Sequence, residues 1–505
     1  MDKLRRTILV ALLPVVGLTM PMWAKMATTN EALTVANNWI NTIIQKKGSW
    51  GDANSAFVED IKEFKRDERL LGYFCRVSPK GYLIVSLRKE LAPVKAYSAT
   101  GNINPECDDG VAKYVGDCME RILDRIEKEV GPVHLARTED VSRICDINYQ
   151  SMWAELEKDE DEFEKGLGSG MIAMNYQSGN WLLTTYWHQG DPYNLHCPAP
   201  PSGDDCDRPR CSVGCVATAG AQIMRYWCWP PYGVGTIYGD VYDWIHMANW
   251  YVWDGTDNRW EDEYGNPLIQ MHLDAVAELS HEIGIAVGMN YCNGDKCKSG
   301  ADTSAMEAVY EGPYRYSDSC CKLDRVDYDP DGWFNEMKIQ LNSNQPIQYR
   351  VPGHSTVVDG WQVVHGREFH MNCGWAGGHP DKPCWDDYND TNTWYLLDAI
   401  PCSDPDEEFM IVNIFPVTSV RHAIAGTYPK EGFNYRYFNQ DASGSSAIFE
   451  AGQNMQFLPN IVVSSTGNIK FGGNSRFFTR GDTSRGIRTD SGGISMYSGG
   501  QMTLY

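Results

Sequence analysis

Apolar residues along this chain follow two periods. Ala36, Trp39 and Ile43 recur at helical spacing behind Asn30 and Glu31, which predicts an amphipathic helix running through Ile44. Two short runs dense in aromatic and branched residues follow, 73–77 and 81–86. They predict paired strands across Ser78-Pro79-Lys80. A second helix is expected over about 110–130. Further on, Val216, Ala219, Ile223 and Tyr226 mark the apolar face of a helix that Pro230-Pro231 ends. Residues 353–360 and 369–375 alternate like strands, with Gly366 between them as a hairpin turn. Asp327 to Gly332 imitates the start of a calcium loop. Its twelfth position is Lys338 rather than Glu, so the preferred reading is an Asp cap on a helix over 333–341. From about 418 the pattern changes again. Gly467-Asn-Ile-Lys-Phe, Gly493-Ile-Ser-Met-Tyr and Gly500-Gln-Met-Thr-Leu recur, and they predict short stacked strands in a small β-solenoid or sandwich.

Length and composition give these elements an organisation. The 505 residues suffice for about three domains. Lys3, Arg5 and Arg6 precede an apolar run from Ile8 to Met20, and Met22-Trp23-Ala24 offers a small residue before a cut. This reads as a secretory signal, and the run is too short to span a bilayer. Behind such a signal, the 16 cysteines point to disulfides rather than metal sites. Close pairs such as Cys107/Cys118, Cys292/Cys297 and Cys373/Cys384 are candidates for small loops. The net charge of −23 argues against nucleic acid or an anionic membrane as partner. Residues 155–170 are charged and then glycine-rich, the composition of a solvated, protease-accessible linker.

Chemistry concentrates around Cys215. Gly214 permits a tight turn, and Cys215 then falls in the first turn of the predicted helix. Unpaired N–H groups and the helix dipole there favour a thiolate. The alternatives are a structural cysteine or a disulfide with Cys211. A thiolate needs a base with an orienting group. His354 lies 139 residues further on, within the roughly 130–150 of a papain-like arrangement, and the hairpin can return Asn372 towards it. Gln189 precedes the nucleophile, where a side-chain amide can join the Cys215 backbone N–H in an oxyanion hole. His188 and His196 are expected on surface loops.

Together these segments resemble a known family. Gln189-Gly-Asp-Pro-Tyr-Asn194, Gly214-Cys-Val-Ala-Thr-Ala219 with Gln222-Ile-Met224, Gly353-His354 with Val358-Asp-Gly360, and His370-Met-Asn372 with Gly374-Trp375 are similar to streptopain, the secreted bacterial cysteine-peptidase family that includes interpain. The resemblance covers about residues 30–415. It implies a papain-like two-subdomain peptidase preceded by an α+β propeptide domain; with the tail pattern above, the whole reads as an α+β chain that ends in a small all-β tail module. The boundaries expected are 1–24 signal peptide, 25–165 propeptide with acidic linker, 166–417 catalytic domain and 418–505 tail. By position, Cys215 is the nucleophile, His354 the general base and acid, Asn372 the orienter of the imidazole, Gln189 the oxyanion donor and Trp375 a shield.

The pattern has departures. Cys373 stands where the family has Trp, which puts the shielding of a His354–Asn372 bond in doubt unless a Cys373–Cys384 disulfide substitutes. Insertions at 198–210 and 377–392 are expected to border the cleft. The function implied is a secreted, zymogen-encoded cysteine endopeptidase without metal or organic cofactor. Its partners are protein substrates and its own propeptide, with a surface or glycan contact through the tail and an extracellular or cell-surface location. Alternatives are an inactive surface-binding protein and an acyltransferase or amidase with the same residues.

Overall fold

The computed structural model describes most of residues 26–159 and 181–420, outside 376–391, 400–406 and a few short loops, and the strands of the tail beyond. The signal region, most of the acidic linker and the 377–392 insertion lie outside the described residues. Helix α1 (Thr29–Lys47) opens on a capping box. The Thr28 hydroxyl accepts from the Glu31 N–H, and the Glu31 carboxylate takes the Thr28 N–H at 2.8 Å. Ala36, Trp39 and Ile43 form its buried face, as their spacing predicts.

Four antiparallel strands follow: β1 (Phe57–Arg66), β2 (Arg69–Ser78), β3 (Tyr82–Ser86) and β4 (Val94–Ser98). Cys75 faces Leu83 across β2 and β3. Alternation divides the sheet between two cores. Tyr73, Cys75, Leu83 and Val85 pack with α1, while Phe74, Tyr82 and Ile84 pack with Val111, Val115 and Met119 of α2 (Gly110–Val130). Burial on both faces explains why these strands read as continuous apolar runs. The short helices α3 (Thr138–Cys145) and α4 (Gln150–Leu156) complete this unit, with the Trp153 indole donating to Leu91 O at 2.9 Å.

The second unit is built on α5 (Cys215–Trp227), which is buried on nearly every side and packs on α6 (Gln270–Ala286). After the small hairpin β5 (Val252–Asp254) and β6 (Arg259–Glu261) come α7 (Met306–Glu311), β7 (Cys321–Asp324), α8 (Pro330–Asn342), β8 (Ile347–Val351), β9 (His354–Gln362), β10 (Glu368–Asn372), β11 (Thr393–Leu396) and β12 (Phe409–Val412). Asp329 caps α8 by accepting from the Gly332 N–H at 2.6 Å, with Pro330 in the first turn. The acidic run is therefore a cap, as expected, and the helix starts three residues earlier than expected.

One sheet runs through both units in the order β1-β2-β3-β4-β11-β10-β9-β8-β12-β7. The junction is antiparallel, with Tyr97 of β4 facing Trp394 of β11. Tail strands from β13 (Ser419–Val420) to β23 (Thr503–Leu504) pair in parallel in two ladders. Met455 is buried, and Phe449 stacks on Phe471 at 5.2 Å. Parallel rungs select the solenoid over the sandwich.

Disulfide pairing departs from the sequence expectation. Cys211 joins Cys292, 81 residues away. The Cys292–Cys297 loop is therefore not formed, and Cys215 keeps its thiol. Cys107 is disulfide-bonded, whereas Cys118 and Cys373 are thiols, so neither Cys107–Cys118 nor Cys373–Cys384 forms. Sequence proximity misleads here because a bridge depends on where the fold brings Cα atoms together, 5.4 Å apart in the case of Cys211 and Cys292.

Candidate active site

Gly214 places Cys215 at the start of α5. Its φ of 88° is left-handed, and a Cβ there would lie 2.6 Å from Met289 Sδ, so only glycine fits. Val213 N donates to Gln189 O at 2.9 Å, which fastens the Gln189 segment alongside the nucleophile turn. Strand β9 packs against α5, and the backbone N–H groups of Ser355, Val216 and Cys215 favour the thiolate form of Cys215. Gln348 of β8 ties these parts together. Its amide donates to Val216 O and to Ser355 Oγ, each at 3.1 Å.

Burial pushes the Cys215 thiol above its ordinary value. The three N–H groups and the Arg350 guanidinium pull it down without offsetting this. The helix-terminal effect expected from the sequence is present but outweighed by desolvation.

His354 is the first residue of β9, one position before the Ser355 hydroxyl that Gln348 holds. Its ring nevertheless points elsewhere. Nε2 donates to Cys373 O at 2.8 Å, and the imidazole stacks on Trp375 with centroids 4.0 Å apart and planes at 20°. Burial lowers its pKa to about 4. The Cys373 carbonyl works against this shift and the Arg350 charge adds to it. Tyr114 of α2 lies against both rings, 6.0 Å from His354 and 5.9 Å from Trp375. A propeptide side chain thus helps enclose the candidate base.

Asn372 ends β10, opposite Val357 of β9, as the hairpin predicts. Its amide does not meet His354 in this state. Oδ1 accepts from the Gly374 N–H at 3.0 Å and from Gln222 Nε2 at 3.2 Å, and Nδ2 donates to Thr185 O at 2.9 Å. Trp375 therefore stacks on the imidazole itself rather than over a His354–Asn372 bond. Cys373 acts through its backbone carbonyl, while its sulfur sits 3.9 Å from the Tyr395 hydroxyl.

His188 and His196, both expected on surface loops, differ. His196 is exposed and 3.1 Å from Asp274, as a loop residue would be. His188, expected on the surface, is fully buried, and its Nδ1 accepts from the Gly190 N–H at 3.0 Å to shape the turn after Gln189. Sequence reasoning misses Tyr114, Gln222, Gln348 and Arg350 as site residues. Only Gln222 carries a readable signal, since it lies two turns after Cys215 on the same helix.

Fold and site together define a cysteine-type peptidase held with its propeptide in place. Residues 187–381 match the Peptidase C10 family and residues 24–122 match the Spi protease inhibitor family. The chain is 25% identical over 361 residues to streptopain of Streptococcus pyogenes, covering 66% of this chain and 80% of that one. It is 24% identical over 328 residues to the thiol protease/hemagglutinin PrtT of Porphyromonas gingivalis, covering 63% of this chain and 34% of that one. Among solved structures, prointerpain A of Prevotella intermedia covers 70% of this chain with 98% of its own length, at 19% identity and a TM-score of 0.48. The chain is a streptopain-like cysteine peptidase made as a zymogen, with its own propeptide as inhibitor and proteins as substrates.

Proposed function

We propose that Cys215 is the nucleophile of an endopeptidase and that the structure described is its latent state. The observation that carries this reading is the Gln348 carboxamide, which donates both to Val216 O beside the candidate nucleophile and to Ser355 Oγ beside the candidate base, each at 3.1 Å, and so fixes the two segments against each other. Activation requires Tyr114 to withdraw and His354 to turn from Cys373 O towards the sulfur. The Cys215 thiol then passes its proton to His354 and its sulfur bonds to the peptide carbonyl carbon. The oxyanion is received by the Cys215 N–H and the Gln189 side chain. His354 returns the proton to the leaving amine, and water attacking through the same base releases the acid and the thiol. Asn372 orients the imidazole and Trp375 covers it.

The signal peptide is assigned to 1–24, the propeptide with its linker to 25–165, the catalytic domain to 166–417 and the tail to 418–505. The cut that starts the mature enzyme is assigned to 155–175. Export follows from the amino-terminal signal. The tail is assigned to contact with a surface or glycan. The processed protein, labelled with an epoxysuccinyl thiol reagent, is expected to carry the adduct on Cys215, and Cys215→Ala is expected to abolish casein cleavage. An adduct on another cysteine, or undiminished cleavage by the variant, overturns the assignment.

A further inference from the structure

Gln222 is fully buried in α5, two turns beyond Cys215. Its carboxamide interlocks with that of Asn372. Gln222 Nε2 donates to Asn372 Oδ1 at 3.2 Å, and Asn372 Nδ2 donates to Gln222 Oε1 at 3.0 Å. Groups of fixed polarity hold both amides in one orientation. The Gly374 N–H can only donate, and it faces Asn372 Oδ1. The Thr185 carbonyl can only accept, and it faces Asn372 Nδ2. On the far side, the Thr185 hydroxyl donates to Gln222 Oε1 at 2.9 Å, which leaves the Gln222 NH2 pointing at Asn372.

A carboxamide oxygen has two lone pairs, and in the latent state both on Asn372 are taken. An imidazole N–H can be received there only if one donor yields. Gly374 is poorly placed to do so. Its backbone is left-handed at φ 70°, and it lies so close to α5 that a Cβ would be 2.9 Å from Thr218 Cγ2. The Gln222 amide is on a side chain with its own rotamers.

We propose that Gln222 is a positioning residue for the peptidase reaction: it fixes which edge of the Asn372 amide faces the active site, and on activation it cedes a lone pair of Asn372 Oδ1 to His354. This rests on the reading of Asn372 as the orienter of His354. An oxygen accepting from the imidazolium favours the protonated ring, so a mispositioned Asn372 weakens the thiolate–imidazolium pair. Substrate binding is left alone.

The test uses the processed full chain in a double-mutant cycle read with pH profiles. Gln222→Leu is expected to lower kcat roughly tenfold with little change in KM, and to move the alkaline limb of the kcat profile to lower pH. Thr185→Val, which leaves both amides in place but frees the Gln222 end, is expected to shift the same limb by less. It carries the test if Gln222→Leu does not fold. In an Asn372→Ala background, Gln222→Leu is expected to cost no more than about twofold further, because the two act as one unit. A full additional tenfold loss in that background, or a loss of kcat with the alkaline limb unmoved, overturns the proposal. If Asn372→Ala alone leaves kcat and its pH profile unchanged, the role of Asn372 fails first, and that of Gln222 falls with it. Cys215→Ala still reports whether the peptidase reading stands.

Discussion

His354 is held neutral by the packing around it. Its pKa of about 4 arises mainly from burial, with the Arg350 charge adding to the shift, and Tyr114 and Trp375 supply much of the enclosure. Once the latent packing opens, the imidazole regains a value near 6.5. Its contribution to the closed form is therefore complete above pH 6.5 and is lost as pH falls towards 4. Over that window it amounts to roughly 3 kcal/mol. The unprocessed Cys215→Ala protein is expected to lose melting temperature between pH 6.5 and 4 more steeply than the same protein carrying His354→Gln, which cannot titrate. Parallel curves would show that this imidazole does not govern the acid response. The same reasoning explains why the raised Cys215 thiol is compatible with a nucleophile. In the latent state the sulfur has no imidazolium partner, so desolvation acts on it alone. The oxyanion assignment also belongs at this scale: Gln189→Ala is expected to lower kcat of the processed enzyme on the order of a hundredfold. A loss confined to KM would place Gln189 in substrate binding instead.

A buried polar knot joins β4 of the propeptide to β9 and β10 of the peptidase. The Tyr97 hydroxyl donates to Glu368 Oε2 at 2.6 Å, and the Gln362 amide donates to both. Glu368 Oε1 also takes the N–H and the ring Nδ1 of His365. Burial alone would push the Glu368 carboxyl up, yet these donors hold it below its usual range. Tyr97→Phe removes one charge-assisted bond, worth about 1.5–3 kcal/mol. The cleaved propeptide is expected to bind the mature enzyme at least about tenfold more weakly. Unchanged affinity would show that the knot organises the catalytic sheet without latching the propeptide.

Elements with a strong local pattern are legible in the amino-acid sequence. Helix α2 spans the expected stretch, and β2 and β3 pair across the expected turn, because periodicity records burial along one segment. The hairpin returning Asn372 beside β9 is legible for the same reason. The shared sheet is not, since pairing between strands almost 300 residues apart leaves no local trace. The burial of His188, the Cys211–Cys292 bridge and the approach of Tyr114 to the site are likewise products of distant packing. The resemblance to streptopain implies a His354–Asn372 bond, whereas in the structure His354 donates to Cys373 O and Asn372 Oδ1 accepts from Gly374 and Gln222.

At the scale of the whole molecule, latency is expected to reside in non-covalent contacts rather than in the connecting chain. The propeptide side is fastened far beyond the active site. Trp39 stacks on His365 with centroids 3.5 Å apart, Lys47 Nζ donates to Gln362 Oε1 at 3.0 Å, and the buried Lys95 donates to Ala399 O at 2.8 Å. The end of α4 and the segment after it are tied back onto α1, with Asn38 donating to Leu156 O and Lys158 O, each at 2.9 Å. None of these contacts involves a residue of the glycine-rich stretch at 166–170, so a single cut there removes no partner from any of them. What the cut removes is the tether, which lowers the effective concentration of the propeptide while leaving its interface intact. A zymogen cleaved once within 166–170 is therefore expected to elute as one species holding both pieces and to stay inactive at micromolar concentration. Activity should appear on dilution or on digestion of the propeptide. Full activity immediately after the single cut, with the pieces separating on the column, would show that the tether maintains latency and that the continuous ten-stranded sheet does not.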